Sequence, residues 1–214
     1  MYTRGAVLFC FTLPFLKTMW NFFDNIIFMN LDKRTDRCKF MTDQFSELGI
    51  PARRFSAITG ENRFLAYNHT YHGILSEMSQ GNGLVLEDDV KFKSIGHLEE
   101  AISQLPVDWD VLYLGANLNG TFQEMFSSCL CRIKNSLTSH AIAYSAKMIK
   151  YIVENFNHNG FPIYDEWMRV NIQEKFNCFV IKPMIAWQIP GYSDLWETHT
   201  DYTTTFMGSE LLLQ

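Results

Sequence analysis

Short apolar segments alternate along this chain with segments whose apolar residues recur at helical spacing. The predicted strands are residues 25–31, 53–58, 84–86, 110–114, 141–144, 179–181 and 185–189. The predicted helices are a first segment that Asp32 caps and that ends at residue 48, and residues 68–78, 97–105, 146–156 and 165–175. This alternation predicts an α/β fold with a mainly parallel sheet flanked by helices. With 214 residues, 47% of them hydrophobic, the chain can build such a sheet around one core.

Both ends of the chain differ in composition from its centre. Residues 5–16 form a mostly apolar run that is too short to span a bilayer. That run fits a signal-peptide core, a leader that associates peripherally with a membrane, or an extension upstream of a start at Met19. We therefore predict a leader or extension over residues 1–20, one domain over residues 21–205 and a C-terminal tail over residues 206–214. Secretory, membrane-associated and cytoplasmic locations all stay open.

The region after Gly191 is polar and predicts a loop, followed by an apolar tail at residues 211–213. The net charge is −5, and no strongly basic block is present, so nucleic acid is not a predicted partner. The five cysteines have no zinc-site spacing, and their odd number argues against a full disulfide framework.

An apolar run over residues 83–86 ends in three consecutive carboxylates, Glu87, Asp88 and Asp89. Ligands of open α/β sheets bind beyond the carboxyl ends of the strands. Adjacent carboxylates repel one another unless water, donors or a cation compensate them, and a divalent cation with oxygen ligands does so well. If strand geometry continues, Glu87 and Asp89 share one face and Asp88 points to the other. The alternative is an ordinary acidic turn.

A basic cluster lies at the first strand-to-helix junction. Lys33, Arg34 and Arg37 crowd the predicted first turn, where cations oppose the helix dipole. A bound anion would explain them, because helix N-termini bind phosphates through free N–H groups. Asp32 and Asp36 could instead offset the positive charge locally. Because the basic and acidic clusters both follow strands of one sheet, together they predict a diphosphate site.

Several segments, taken in order, resemble glycosyltransferase family 25, which includes lipooligosaccharide and collagen galactosyltransferases. Residues 28–37 read F-M-N-L-D-K-R-T-D-R and resemble the family signature I-N-L-D-R-R-x-D-R. The other matching segments are R-F-S-A-I-T-G at residues 54–60, L-E-D-D-V at 86–90, D-W-D-V-L-Y-L-G at 108–115, A-Y-S at 143–145, P-I-Y-D at 162–165 and S-D at 193–194. Two departures are present: only His69 remains of the family's G-C-x-x-S-H segment, and Tyr164 displaces Asp165 by one position.

The resemblance implies a GT-A fold, with a twisted mixed sheet between helices. It implies transfer of a hexose from a UDP-sugar to a hydroxyl group of a glycan or glycoprotein acceptor, with inversion and with Mn²⁺ or Mg²⁺ as cofactor. The alternative is a non-catalytic relative that binds nucleotide sugar or glycan. A methyltransferase is a third reading, because residues 111–120 partly match a Gly-rich turn, but Asn117 occupies the position of its second glycine.

The resemblance also assigns roles to residues. Asp89, Glu87 and His199 are the predicted metal ligands. The predicted donor-binding residues are Asn30 and Leu31 at the nucleoside, Arg34 and Arg37 at the phosphates, Phe55 and Ala57 beside the base, and His69, Glu87 and Asp88. An inverting reaction needs a general base, for which Asp165 is the first choice, Asp194 the second and Glu166 the alternative. Trp187 and Trp196 are predicted either to stack on a sugar or to pack in the core or at its rim.

Overall fold

The computed structural model describes residues 19–78, 80–121 and 123–214. The predicted leader lies outside these residues except for Met19 and Trp20, which are buried, and Trp20 opens a 3₁₀ turn over Trp20–Phe22. None of the helices in the described residues has both the length and the apolar character needed to cross a membrane.

Strands and helices alternate along the described chain. The strands are β1 Asn25–Asn30, β2 Arg53–Ser56, β3 Gly83–Leu86, β4 Val90–Phe92, β5 Val111–Tyr113, β6 Glu124–Met125, β7 Leu130–Arg132, β8 Ala141–Tyr144, β9 Cys178–Ile181, β10 Ala186–Gln188, β11 Gly191–Ser193 and β12 Thr198–Thr200. The helices are α1 Thr35–Leu48, α2 Arg63–Glu77, α3 Leu98–Ser103, α4 Ala146–Asn155, α5 Tyr164–Asn171 and α6 Thr203–Leu211.

Eight of the strands form one mixed sheet in the order β2-β1-β3-β8-β5-β9-β7-β6. β8 is antiparallel to both of its neighbours, β3 and β5, and β7 is antiparallel to both β9 and β6. The other six strands therefore point the same way, and the predicted α/β class with a mixed, mainly parallel sheet is confirmed. β10 pairs with β4, and β11 pairs with β12, as two small antiparallel sheets.

The first three strands end at one edge of this sheet. β1 pairs in parallel with β2 on one side and with β3 on the other, and Phe28 lies opposite both Arg54 and Leu86. The residues that follow these strands therefore meet at the same edge, as parallel pairing predicts. This edge carries the acidic and the basic cluster.

The core lies on both faces of the sheet, because successive side chains along a strand point to opposite faces. On one face, Ile27 and Val85 pack in a cluster with Ile74 of α2 and Ile149 of α4. On the other face, a second cluster contains Phe28 of β1 together with residues of α1 and α3. Helices therefore cover both faces, which holds the strand ends in place.

Two predicted helix starts are wrong. α1 begins at Thr35, and Asp32 does not cap it: the Asp32 carboxylate accepts hydrogen bonds from Arg54 and Ser56 of β2. α2 begins at Arg63 rather than residue 68, because the Asn62 side chain caps it by accepting from the backbone N–H groups of residues 64 and 65.

The C-terminal region was also predicted wrongly as loop. It forms the β11–β12 hairpin and α6, and the apolar side chains Phe206 and Leu213 are buried against the rest of the domain. The Asp201 side chain accepts from the backbone N–H of Thr203 at the start of α6. Burial of these few apolar residues outweighs the polar local composition. The helix predicted over residues 165–175 was too long, because α5 ends at Asn171.

Candidate active site

A cavity of about 430 Å³ opens at the sheet edge where β1, β2 and β3 end. Side chains from the acidic turn, the basic junction, the start of α5 and the β11–β12 hairpin line it. The predicted site residues that line this cavity are Asn30, Leu31, Arg37, Ala57, Glu87, Asp88, Asp89, Asp165 and Asp194. These nine residues come from five separate parts of the chain and meet in one concave site.

The acidic cluster is a turn rather than the end of a strand, because β3 stops at Leu86. Strand alternation therefore does not apply, and the prediction that Asp88 points away from Asp89 is wrong. Arg37 Nη1 donates to both, at 2.8 Å to Asp88 Oδ1 and 3.3 Å to Asp89 Oδ2. One guanidinium thus compensates two neighbouring carboxylates, and both lie in the cavity wall.

Three hydroxyl groups hold one oxygen of Glu87. Its Oε1 accepts from Tyr67 at 2.9 Å, from Tyr71 at 3.1 Å and from Ser139 at 3.1 Å. Burial, reinforced by the charge of Asp89, raises the pKa of Glu87 to about 8. Hydroxyl groups therefore fix the carboxyl group in position, and none of these three partners carries a positive charge.

Gln188 lies between the two remaining carboxylate oxygens. Its Nε2 is 3.5 Å from Glu87 Oε2 and 3.4 Å from Asp89 Oδ1, and its Oε1 is buried without a hydrogen-bond partner. Burial also raises the pKa of Asp89. Two under-compensated carboxylate oxygens therefore face one point of the cavity wall. Within residues 19–78, 80–121 and 123–214, no three His, Cys, Asp or Glu side chains are grouped so as to hold a metal ion.

The basic cluster fastens the β11–β12 hairpin over this edge. Asp194 accepts from Lys33 at 2.6 Å and from Arg34 at 2.7 Å. Arg34 and Arg37 both donate to the carbonyl oxygen of Tyr192. Burial opposes ionisation of Asp194, but the hydrogen bonds from Lys33 and Arg34 outweigh it and lower its pKa. Asp194 is therefore a firmly ionised anchor.

Asn30 links the two clusters. Its Nδ2 donates at 2.7 Å to Asp88 Oδ2, and its Oδ1 accepts from Arg54 Nε at 2.9 Å. The side chain is buried at the end of β1, so these bonds fix the Asp88 carboxylate relative to the sheet. Among the residues predicted at the nucleoside, Asn30 therefore also supports the acidic turn.

Asp165 and Glu166 lie in the first turn of α5 but differ in environment. Asp165 lines the cavity, accepts from the backbone N–H of Glu166 at 2.8 Å, and has a pKa that burial raises. Glu166 accepts from Nε and Nη2 of Arg169, each at 2.7 Å, and does not line the cavity. Of these two carboxylates, only that of Asp165 is thus available to a ligand in this cavity.

Five predicted site residues lie outside the cavity lining: Arg34 and Glu166, described above, and Phe55, His69 and His199. Phe55 packs with its ring against Gly73 of α2. His69 is 3.0 Å from Asn159 Oδ1 and packs against the ring of His158. His199 is exposed on β12, where its ring contacts that of Tyr192. Helix packing and hairpin pairing account for these placements, and the structure does not bring His199 to the acidic turn.

Four residues at the acidic turn were missed by sequence reasoning: Tyr67, Tyr71, Ser139 and Gln188. Tyr67 and Tyr71 are four residues apart and share one face of α2. This pairing could have been found, had the start of the helix been placed correctly. Ser139 and Gln188 had no such signal, because they reach the site only through the pairing of β8 and β10. Of the two tryptophans, Trp196 lines the cavity, whereas Trp187 stacks on Phe206 of α6.

No family model and no curated protein sequence matches the chain. Solved structures with a similar fold include three that share 10% sequence identity with this chain. A glycosyltransferase involved in the glycosylation of the major capsid of PBCV-1 has a TM-score of 0.42, over 73% of this chain and 80% of the other. The A197 protein from STIV has a TM-score of 0.49, over 82% and 92%. The inositol-1-phosphate CTP transferase from T. maritima has a TM-score of 0.46, over 93% and 81%. Similarity at this level assigns neither a family nor an activity.

Proposed function

We propose that this chain is a GT-A-type glycosyltransferase of the family 25 kind, which transfers a hexose with inversion from a UDP-sugar to a hydroxyl group of a glycan or glycoprotein. The observation that carries the proposal is the composition of the cavity. At the carboxyl ends of β1–β3 it combines under-compensated carboxylates with a basic cluster, and the first turn of α5 adds a half-buried carboxylate, Asp165. A nucleoside diphosphate with a cation matches the first two, and an acceptor hydroxyl matches the third.

The residues present fit a divalent cation. Glu87 and Asp89 present oxygen atoms, the ligand type that Mn²⁺ and Mg²⁺ prefer, and burial raises the pKa of both groups because their charge is not fully compensated. When bound, the ion supplies positive charge that stabilises the leaving diphosphate. His199 does not line this cavity, so of the predicted ligands Glu87 and Asp89 would hold the ion.

The basic cluster would bind the phosphates. Lys33 and Arg37 line the cavity, and Arg34 lies beside them through its bond to Asp194. Charge-assisted hydrogen bonds from guanidinium groups to phosphate are short and strong. In the structure these cations are paired with Asp88, Asp89 and Asp194, so a diphosphate would share them with the protein's own carboxylates.

Asp165 is the best-placed general base. Inversion requires the acceptor oxygen to bond to the anomeric carbon as the bond from that carbon to the diphosphate oxygen breaks, while a base takes the hydroxyl proton. A buried carboxylate with a raised pKa accepts a proton more readily than one held by two cations. Asp194 is of the second kind, and Glu166 lies outside the cavity lining. We therefore assign proton transfer to Asp165 and anchoring to Asp194.

Calorimetry of UDP binding, first with Mn²⁺ and then with excess chelator, tests the donor site. We expect binding that requires the metal in the wild-type chain and is lost in Asp89→Asn, which preserves shape but removes the charge. Asp43→Asn is the matched control, because Asp43 is an exposed aspartate on α1 that pairs with Lys39. UDP binding that is insensitive to both chelator and Asp89→Asn would refute the metal assignment.

The mutual neutralisation of the two clusters favours one alternative, a relative that binds a nucleotide sugar without turnover. Arg37 and Asn30 already satisfy Asp88, as an inactive binding protein would require for stability. Release of UDP from a panel of UDP-sugars, with and without glycan acceptors, distinguishes the two. Release that Asp165→Asn abolishes supports the transferase, and UDP-sugar binding with no release supports the binding protein.

A further inference from the structure

Three aromatic side chains form an exposed surface next to the cavity, which we call the aromatic rim: Phe64, Phe161 and Trp196. The ring centroids of Phe64 and Trp196 are 5.4 Å apart, and those of Phe64 and Phe161 are 6.2 Å apart. Phe161 is 66% exposed and Trp196 47% exposed. Large apolar side chains grouped in this way at a surface mark a binding site more often than isolated ones do.

Polar contacts hold the aromatic rim in place. The guanidinium group of Arg63 lies 5.0 Å above the ring of Phe64, and Arg63 Nη1 is 3.0 Å from Glu197 Oε2. Arg63 also donates to the carbonyl oxygen of Leu195, next to Trp196. One side chain from the first turn of α2 therefore fixes both the ring beside it and the hairpin loop that carries Trp196. The rings of Phe64 and Trp196 are therefore held in place by these contacts.

The aromatic rim is continuous with the proposed reaction site. Trp196 and Arg63 line the same cavity as Asp165 and Asp194. Phe161 precedes Asp165 by four residues, in the connection from α4 to α5 that Asn68 holds through its bond to the carbonyl of residue 160. The rim therefore shares its cavity with the carboxylate to which we assign proton transfer.

We propose that the aromatic rim binds the acceptor, and that the acceptor is a carbohydrate whose pyranose ring lies on Trp196. The C–H bonds of a pyranose form an apolar face that suits an aromatic ring, and its hydroxyl groups form a polar edge. Arg63 and Glu197 lie beside the rings and would meet that edge. A wholly apolar peptide or lipid would desolvate both charges without replacing their hydrogen bonds, which is costly. The assignment of this carbohydrate as the acceptor rests on the proposed function, whereas sugar binding by the rim does not.

Saturation-transfer NMR on the full chain tests this inference without turnover. The probes are the methyl glycosides of glucose, galactose, mannose and rhamnose, and N-acetylphenylalanine amide represents an apolar peptide. We expect saturation of the ring C–H protons of at least one glycoside. We also expect binding about tenfold weaker in Trp196→Ala, the effect of removing one stacked aromatic ring.

Phe126→Ala is the matched control. Phe126 is 40% exposed, and Arg132 lies 5.6 Å above its ring, but it is near β6 at the far edge of the main sheet. Unchanged glycoside binding in this control, together with the loss in Trp196→Ala, supports the inference. The inference is overturned if no glycoside binds, if Trp196→Ala binds as well as the control does, or if only the phenylalanine amide binds.

The proposed function fails separately from this inference. If UDP does not bind but glycosides bind through Trp196, the chain is a sugar-binding protein and the rim assignment stands. If UDP binds with metal but the glycosides ignore Trp196, the donor site stands and the acceptor lies elsewhere.

Discussion

Arg37 is the side chain whose replacement tests the charge balance of the site most directly. It donates to Asp88, to Asp89 and to the carbonyl oxygen of Tyr192. Methionine in its place keeps much of the volume of the stem but removes the guanidinium group. The two carboxylates then stay in the cavity wall without their shared cation, and the hairpin loses one of its ties.

The size of the effect follows from burial. The side chains of Arg37, Asp88 and Asp89 are 11%, 13% and 16% exposed, so this ion pair belongs with buried pairs rather than surface pairs. Removing one partner of a buried pair costs about 3–5 kcal/mol, whereas exposed pairs contribute about 0–1 kcal/mol. Because the carboxylates keep some contact with water, we expect a loss of about 3 kcal/mol. In a domain of this size, that loss lowers the melting temperature by roughly 6–12 °C.

Thermal unfolding of Arg37→Met is compared with that of Lys39→Met, in the same helix. Lys39 pairs with Asp43 at 2.7 Å, but the two side chains are 76% and 64% exposed, so its replacement should change stability by less than about 0.5 kcal/mol. Equal melting temperatures for the two variants would refute the assignment of Arg37 as the buried counter-ion. The same scans with Mn²⁺ and with chelator add a second result: if a cation binds at Glu87 and Asp89, Mn²⁺ raises the melting temperature of the wild-type chain.

Other sites give further expected outcomes. Asp165→Asn should abolish sugar transfer while leaving UDP affinity unchanged, whereas Asp194→Asn should weaken UDP affinity. Calorimetry of UDP binding and a sugar-transfer assay measure these two effects. If Asp194→Asn abolished transfer and Asp165→Asn weakened UDP affinity, the two assigned roles would be wrong. Burial lowers the pKa of His140 from 6.5 to about 4, so the unfolded chain binds the proton first and stability falls as the pH drops from about 6.5 towards 4. His140→Gln should lose less melting temperature between about pH 7 and about pH 5 than wild type, and an equal loss would contradict this cause. A Cβ atom at Gly115 would overlap a backbone carbonyl oxygen of β10, so Gly115→Ala should cost more than about 1 kcal/mol in denaturant unfolding. A Cβ atom added at Gly208, inside α6, would have no other atom within 4 Å, so Gly208→Ala should raise the free energy of unfolding by about 0.5–1 kcal/mol. Stability changes of the same sign in both glycine variants would contradict the packing argument.

Local sequence patterns predicted the sheet edge well. The apolar runs of β1, β2 and β3 are short and bounded by polar residues, and parallel pairing then brings their ends together. The acidic and basic clusters lie directly after β3 and β1, so their position at this edge needs only the order of the strands. The orientation of the acidic side chains was harder to predict, because these residues form a turn, to which the two-residue period of a strand does not apply.

Distant contacts were not predictable from the pattern. Ser139 reaches Glu87 across 52 positions of sequence and Gln188 across 101, and neither stands in a recognisable motif. The hairpin β11–β12 and helix α6 were missed because their composition is polar, and the burial of Phe206 and Leu213 decides their structure only in the folded chain. His199 was placed by analogy with the family, and hairpin pairing puts it elsewhere.

The position of β8 has a consequence for any attempt to reduce this protein to a smaller unit. β8 lies between β3 and β5, Ala141 pairs with Leu86, and the N–H of Glu87 donates to the carbonyl of His140. A fragment that stops after β4 would contain all three acidic residues, yet Glu87 would lack Ser139 and β3 would become an unpaired edge that invites aggregation. The segment that carries the acidic turn therefore cannot be excised or transplanted as a module. During synthesis, the surroundings of Glu87 are completed only after Ser139 and Gln188 have been made.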